Sequence, residues 1–168
     1  MRTITVVGAS LAGLSAARAL RAQEFAGRVI VVGSELHEPY DRPPLSKDFL
    51  LGTTDDISLG TSDDKLLDID WRFGCTAEAL DTQGRAVVLD NGDRIVTDGV
   101  VLATGARARR LSGPALAGVY TLRTLDDAMA LRSALKRGGS LVVIGAGFIG
   151  AEVASTAHQI GLDVTVVE

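Results

Sequence analysis

One local pattern occurs twice in this chain and constrains its fold more than any other feature. Residues 3–21, TITVVGASLAGLSAARALR, run from a β-branched stretch through a glycine-bounded turn, Gly8 to Gly13, into an alanine- and leucine-rich helical stretch from Leu14. The order returns in LVVIGAGFIG at 141–150, with glycines at 145, 147 and 150, and a helical stretch continues over 151–159. Each copy predicts strand, tight loop and helix. Gly8 makes the turn, Gly13 permits close packing of helix on strand, and the unpaired N–H groups of a helix start suit a diphosphate. One such turn alone is weak, since many α/β proteins carry one without a nucleotide. The first copy also has Ser10 where glycine normally lets the backbone approach the phosphates. Two copies in one chain predict two dinucleotides.

Each helix leads to a further strand pattern. After Gly27, residues 28–32 (RVIVV) predict a second strand parallel to the first, and 163–167 (DVTVV) do the same for the second copy. A carboxylate at the end of this strand accepts hydrogen bonds from an adenosine ribose. Glu168 stands directly at its strand end, 18 residues after Gly150, and an acid there favours NAD over NADP. In the first copy Glu35 lies 22 residues after Gly13, but matching 29–32 with 164–167 puts Gly33 in the acid's place and Glu35 two positions further on. Glu35 is thus either the ribose acid or a solvated loop carboxylate.

Composition excludes several classes. Lys and Arg number 17 against 21 Asp and Glu, the net charge is -4, and no basic block marks a nucleic-acid or anionic-membrane footprint. Apolar runs such as 100–103 and 141–144 are strand length, far short of the roughly 20 residues that span a bilayer. Met1-Arg2 leads straight into the first strand without a signal-like leader, so the default expectation is cytoplasmic. The single cysteine, Cys75, excludes an internal disulfide, and His37 and His158 lack partners at ligand spacing, so no metal is assigned. With 46% hydrophobic residues, the chain can build a core.

Between the two copies, prolines at 39, 43 and 44 predict a stiff loop carrying Arg42 and Lys47, with a short helix over 46–51 closed by Gly52. Next comes a polar excursion with a short helix over 63–67. Strand patterns at 70–73, 76–80, 86–89 and 95–97, with an Asn91-Gly92 turn, predict an antiparallel meander inserted before 100–103 returns to the main sheet. Thr104-Gly105 ends that strand and would bring backbone close to a ligand over the sheet edge, or simply terminates it. Ser112-Gly-Pro114 reads as a linker, and Thr124 with Asp127 caps a helix over 125–136. The expected division is 1–112, a connector at 113–138, and 139–168.

In combination, GASLAG at 8–13, PYDRPPLSK at 39–47, VVLATGARAR at 100–109, VYTLRTLDDA at 119–128 and VVIGAGFIGAEVA at 142–154 resemble the FAD-dependent, NADH-using ferredoxin reductases of bacterial cytochrome P450 and Rieske oxygenase systems, of the putidaredoxin and rhodocoxin reductase type. The resemblance runs over the whole chain. It implies an α/β, FAD/NAD(P)-binding Rossmann-like flavoprotein fold with two dinucleotide-binding domains and an inserted antiparallel β-meander, here truncated. It further implies hydride transfer from NADH to FAD and single-electron transfer to a [2Fe-2S] ferredoxin.

By the same resemblance, Gly8, Ser10, Ala12 and Gly13 surround the FAD pyrophosphate and Glu35 holds its ribose. Arg42 and Lys47 lie along the cofactor, Lys47 beside the isoalloxazine. The Ala77 backbone meets the adenine, Arg123 contacts the flavin, and Glu152 faces Lys47. Lys47 and Glu152 are the candidate catalytic pair, although a helix-start acid such as Glu152 is also favoured by the macrodipole alone. Gly145, Gly147, Gly150 and Glu168 form the NADH site. Members of this family are well over twice as long, so the chain is expected to be a fragment with weak FAD retention, inactive alone, with open sheet edges that invite a homodimer. The alternative is a short, non-catalytic nucleotide-binding module acting by association.

Overall fold

The structure, a computed structural model, describes residues 2–114 and 116–168. Chain contacts divide it into two compact units, Met1–Tyr40 with Ser58–Ala106, and Asp41–Ile57 with Arg107–Glu168.

The first unit is built on a four-stranded sheet. Strand β1 (Thr3–Val7) runs into helix α1 (Leu11–Ala22) and then β2 (Arg28–Gly33). With β3 (Ile69–Phe73) and β7 (Gly99–Leu102) these strands form a parallel sheet in the order β3-β2-β1-β7. Strands covered on both faces read as continuous apolar runs rather than alternating ones. On one face Val6, Val29 and Val31 pack on Ala17 of α1. On the other, Ile30 and Val32 pack on Val87, Leu89 and Ile95 of a three-stranded antiparallel sheet, β4 (Ala77–Asp81), β5 (Ala86–Leu89) and β6 (Arg94–Val96). That sheet is the expected meander, with Gly92 taking the left-handed φ of +85° in its tight turn.

One strand lies in a different sheet from the one its sequence pattern predicts. Residues 70–73 are part of β3, which pairs in parallel with β2 from Val29↔Ile69 to Gly33↔Phe73 and forms the outer strand of the main sheet. Alternation of Ile69, Trp71 and Phe73 signals a strand but carries no direction. Direction comes from the long crossover before it, whose two turns of 3-10 helix (Ser62–Leu67) are tied to α1. Arg18 grips Asp64 through Nε and a terminal nitrogen, both at 2.7 Å, and Arg21 donates to the carbonyls of Leu67 and Asp68 at 2.6 and 2.7 Å.

In the second unit, a 3-10 turn (Pro43–Ser46) leads into the short helix α2 (Asp48–Leu51), closed by Gly52 at φ +88°. Helix α3 (Leu125–Leu135) starts from the expected capping box: Asp127 N–H donates to Thr124 Oγ1 at 3.1 Å and Thr124 N–H to the Asp127 carboxylate at 3.0 Å. Then come β8 (Ser140–Ile144), α4 (Phe148–Gln159) and β9 (Asp163–Val167), with β8 and β9 parallel. Two strands and one helix bury little alone. Here Leu50 of α2 and Leu131 and Leu135 of α3 complete a core with Val143, Val153, Ala157 and Leu162. Among the described residues no helix is long and apolar enough to cross a membrane.

Candidate functional site

The two glycine loops have the same backbone design. Gly8 N–H donates to Val32 O at 2.8 Å, and Gly145 N–H donates to Val167 O at 2.7 Å, so each loop leaves its first strand at the same point of the βαβ unit. A Cβ on Gly13 would fall on the carbonyl oxygen of Gly8, and one on Gly150 would fall on that of Gly145. These are the close helix–strand approaches that only glycine permits. Both helices begin three residues before the sequence-expected starts, because Leu11-Ala-Gly13 and Phe148-Ile-Gly150 are first turns rather than loop. The first intrahelical bonds are Leu14 N–H to Ser10 O and Ala151 N–H to Gly147 O, both 2.9 Å. That leaves the N–H groups of Leu11, Ala12 and Gly13, and of Phe148, Ile149 and Gly150, directed out of the helix ends without intrahelical partners.

Ser10 and Gly147 hold the same N-cap position, both in extended backbone, at φ -116°, ψ -162° and φ -68°, ψ 177°. Ser10 thus stands where the second loop has glycine, in an N-cap backbone that any residue adopts. Around the first loop the chain is crowded: a Cβ on Gly8 would strike the Ala103 carbonyl, which brings the Ala103–Gly105 turn against the loop, with Gly105 at φ +67°. Thr104 and Gly105 are thus gathered beside Gly8 within the first unit. A Cβ on Gly147 has nothing within 4 Å. A row of helix-start amides and glycines where backbone must approach fit a diphosphate.

The offset acid has a steric explanation. In the second unit the Glu168 carboxylate accepts from Ala146 N–H, folding back over its own glycine loop. In the first, Gly33 occupies the strand-end position, and a Cβ there would collide with the Cβ of Ala9. No side chain fits there, and the carboxylate nearest in sequence is Glu35, which accepts from the Tyr40 hydroxyl and whose carbonyl accepts from Gly74 N–H at 3.0 Å. Ala77 lies in β4, opposite Leu89, and packs on the face shared by Ile30 and Val32.

In the second unit the proline-fixed segment and α4 meet. Lys47 Nζ is 2.9 Å from Glu152 Oε1, and the Ser46 hydroxyl donates to Oε2. Together they hold the Glu152 carboxyl below its ordinary range, the Ser46 hydrogen bond foremost and the Lys47 contact next. Arg42 donates to the Arg123 carbonyl at 2.7 Å, and Arg123 N–H donates to the Asp127 carboxylate at 2.9 Å, so the Arg42 side chain and the Arg123 backbone are tied together at the start of α3. Sequence reasoning misses Tyr40, Ser46 and Thr156, whose hydroxyl donates to Ser46 O at 2.8 Å. Tyr40 and Ser46 stand inside PYDRPPLSK, and Thr156 lies one helical turn beyond Glu152 on the same face.

Against known proteins, the pyridine nucleotide-disulphide oxidoreductase family pattern matches residues 2–168. The ferredoxin–NAD(+) reductase component of a biphenyl dioxygenase system from Paraburkholderia xenovorans is 44% identical over 170 residues, covering 99% of this chain and 42% of that protein. Rhodocoxin reductase from Rhodococcus erythropolis is 43% identical over 171 residues, covering 99% and 40%. The crystal structure of the ferredoxin reductase for the CYP199A2 system of Rhodopseudomonas palustris has a TM-score of 0.92 at 38% identity, covering 99% of this chain and 42% of that one. The chain thus spans about two fifths of the length of these relatives. With nearly its whole length matched, and with paired strand–glycine loop–helix units of one design, the chain belongs to the pyridine nucleotide-disulphide oxidoreductase family.

Proposed function

We propose that this chain carries the nucleotide-binding part of an NADH-dependent ferredoxin reductase, with FAD on the Gly8–Gly13 loop and NADH on the Gly145–Gly150 loop. The observation that carries the reading is the shared backbone design of the two loops, each presenting a helix start with three outward N–H groups. Relatives named as ferredoxin–NAD(+) reductases at 44% identity supply the direction of the chemistry. The acceptor of the electrons in this proposal is a [2Fe-2S] ferredoxin.

Leu11, Ala12 and Gly13 would bind the FAD pyrophosphate through their N–H groups, with Gly8, Ser10, Thr104 and Gly105 shaping the space around it. Glu35, steadied by Tyr40, would accept from the ribose hydroxyls. Ala77, Arg42 and Arg123 are assigned to the same cofactor. Glu168 would accept the 2′-hydroxyl of NADH and repel a 2′-phosphate, which sets the preference for NADH. When bound, the flavin supplies the chemistry, accepting hydride from the nicotinamide and releasing electrons singly. Lys47, held by Glu152, would place one positive charge beside the flavin ring.

Calorimetric titration of FAD and NADH into the chain, and then NADH-driven reduction of a [2Fe-2S] ferredoxin with FAD in excess, tests this. Saturable binding of both nucleotides, with FAD binding lost in Gly13→Val, is the expected result. No flavin binding at any concentration would overturn the FAD assignment. Binding without ferredoxin reduction is equally expected of a fragment, so the mass of the natural gene product separates the two readings. A product of the relatives' length supports the reductase, and one of 168 residues supports a non-catalytic module that acts by association.

A further inference from the structure

Both carboxylate oxygens of Glu152 are taken by consecutive residues, Oε1 by the Lys47 ammonium and Oε2 by the Ser46 hydroxyl. The two contacts differ in kind. The Lys47 and Glu152 side chains are 45% and 33% exposed, and an ion pair that open to water holds no fixed geometry by itself. Ser46 is buried, at 5% exposure, and α4 grips it twice: at its hydroxyl through Glu152 and at its carbonyl through Thr156, itself 5% exposed. Lys47 begins where the 3-10 turn ends, and its ammonium also donates to Pro43 O at 3.2 Å. The turn has little freedom of its own, because Pro43 and Pro44 fix its first dihedrals. The other acceptor within reach of the Ser46 hydroxyl is Pro43 O at 3.5 Å, too long to compete with a carboxylate.

We propose that Ser46 is the positioning residue of this cluster: its hydroxyl pins one oxygen of Glu152, so that the other holds the Lys47 ammonium at one place. A carboxylate anchored at one oxygen loses most of its freedom to rotate, and a lysine partner then meets a stationary acceptor. The consequence for a flavin rests on the proposed function. The pinning itself does not, since all of its atoms belong to the second unit.

The test is carbon-13 NMR titration of the Glu152 carboxyl in the 168-residue chain, with the Lys47 ammonium monitored by nitrogen-15 exchange. In the unaltered chain Glu152 is expected to titrate below the ordinary carboxylate range and the Lys47 ammonium to exchange more slowly than the other lysine ammonium groups. Ser46→Ala should move the Glu152 midpoint upward, by more than Lys47→Ala does, and should return Lys47 to the exchange rate of a solvated lysine. Ser46→Thr, which keeps the hydroxyl, should restore both. Thr156→Val removes the second grip and should shift both signals in the same direction as Ser46→Ala, so a folding failure of one variant leaves the other to decide. An unmoved Glu152 midpoint in folded Ser46→Ala or Thr156→Val overturns the proposal. Added FAD separates the two readings. If Lys47→Ala leaves the visible spectrum of added FAD unchanged while Ser46→Ala still moves Glu152, the flavin role of Lys47 fails and the positioning stands. The converse pattern keeps the flavin role and removes Ser46 from it.

Discussion

Single residues decide how the two βαβ units differ, and two glycines that look alike in the sequence make opposite demands. Gly33 is packed: a Cβ there would meet Ala9. Gly147 is open, with nothing within 4 Å of a Cβ. Gly33→Ala is accordingly expected to cost about 1–3 kcal/mol through overpacking. Gly147→Ser, which copies Ser10 at the equivalent N-cap, should stay within about 0.5 kcal/mol, since serine and glycine differ there by only a few tenths. Urea denaturation of both variants checks the contrast, and equal losses would show that the two loops are not packed as described. Glycines are legible in the sequence because their reason is local geometry. The hydroxyls of Tyr40, Ser46 and Thr156 are not, because what they bind is set by packing. Ser46 meets Glu152 across 106 positions, and no window of sequence contains both.

At the scale of elements, strands and helices are readable from apolar periodicity, while sheet membership is not. Alternation at 69–73 specifies two faces and leaves the neighbour open, so the pattern suggests the meander although β3 belongs to the main sheet. Its true neighbour depends on how the crossover from β2 is held, and that is the work of Arg18 and Arg21 on α1. The Arg18 guanidinium, and after it the Thr61 N–H, keeps the Asp64 carboxyl far below its ordinary value of 3.8. A carboxyl whose folded pKa is depressed stabilises fully above its unfolded value and loses that contribution as the pH falls toward the folded one. Acidification below about pH 5 should therefore lower the denaturation midpoint of the unaltered chain more steeply than that of Asp64→Asn. The difference between the two is expected to be largest near neutrality and to shrink on the acid side. A difference constant with pH would mean that Arg18 and Asp64 are not paired in solution.

For the molecule as a whole, the second unit has one covered and one open side, and that asymmetry has a measurable result. Val143, with Leu141 and Val164 beside it, faces α3 and α4 in the core, whereas Val142 and Ile144 on β8 and Val167 on β9 are 59%, 64% and 48% exposed. The register places Ile144 opposite Val167 and Val142 opposite Thr165, so Val142, Ile144 and Val167 lie together on one face of a sheet that has two strands among the described residues. Each strand also has an edge that no strand pairs among the described residues, and open edges beside apolar surface favour pairing with a second copy. Sedimentation velocity is expected to show association that grows with chain concentration. Ile144→Lys places a charge at the C-terminal end of the face, opposite Val167 and beside Val142, while leaving the Leu50–Leu131–Val143 core untouched, and should return the chain to a monomer with its helix content unchanged. Sedimentation independent of concentration, or association as strong in Ile144→Lys, would show that this face does not drive contact between copies.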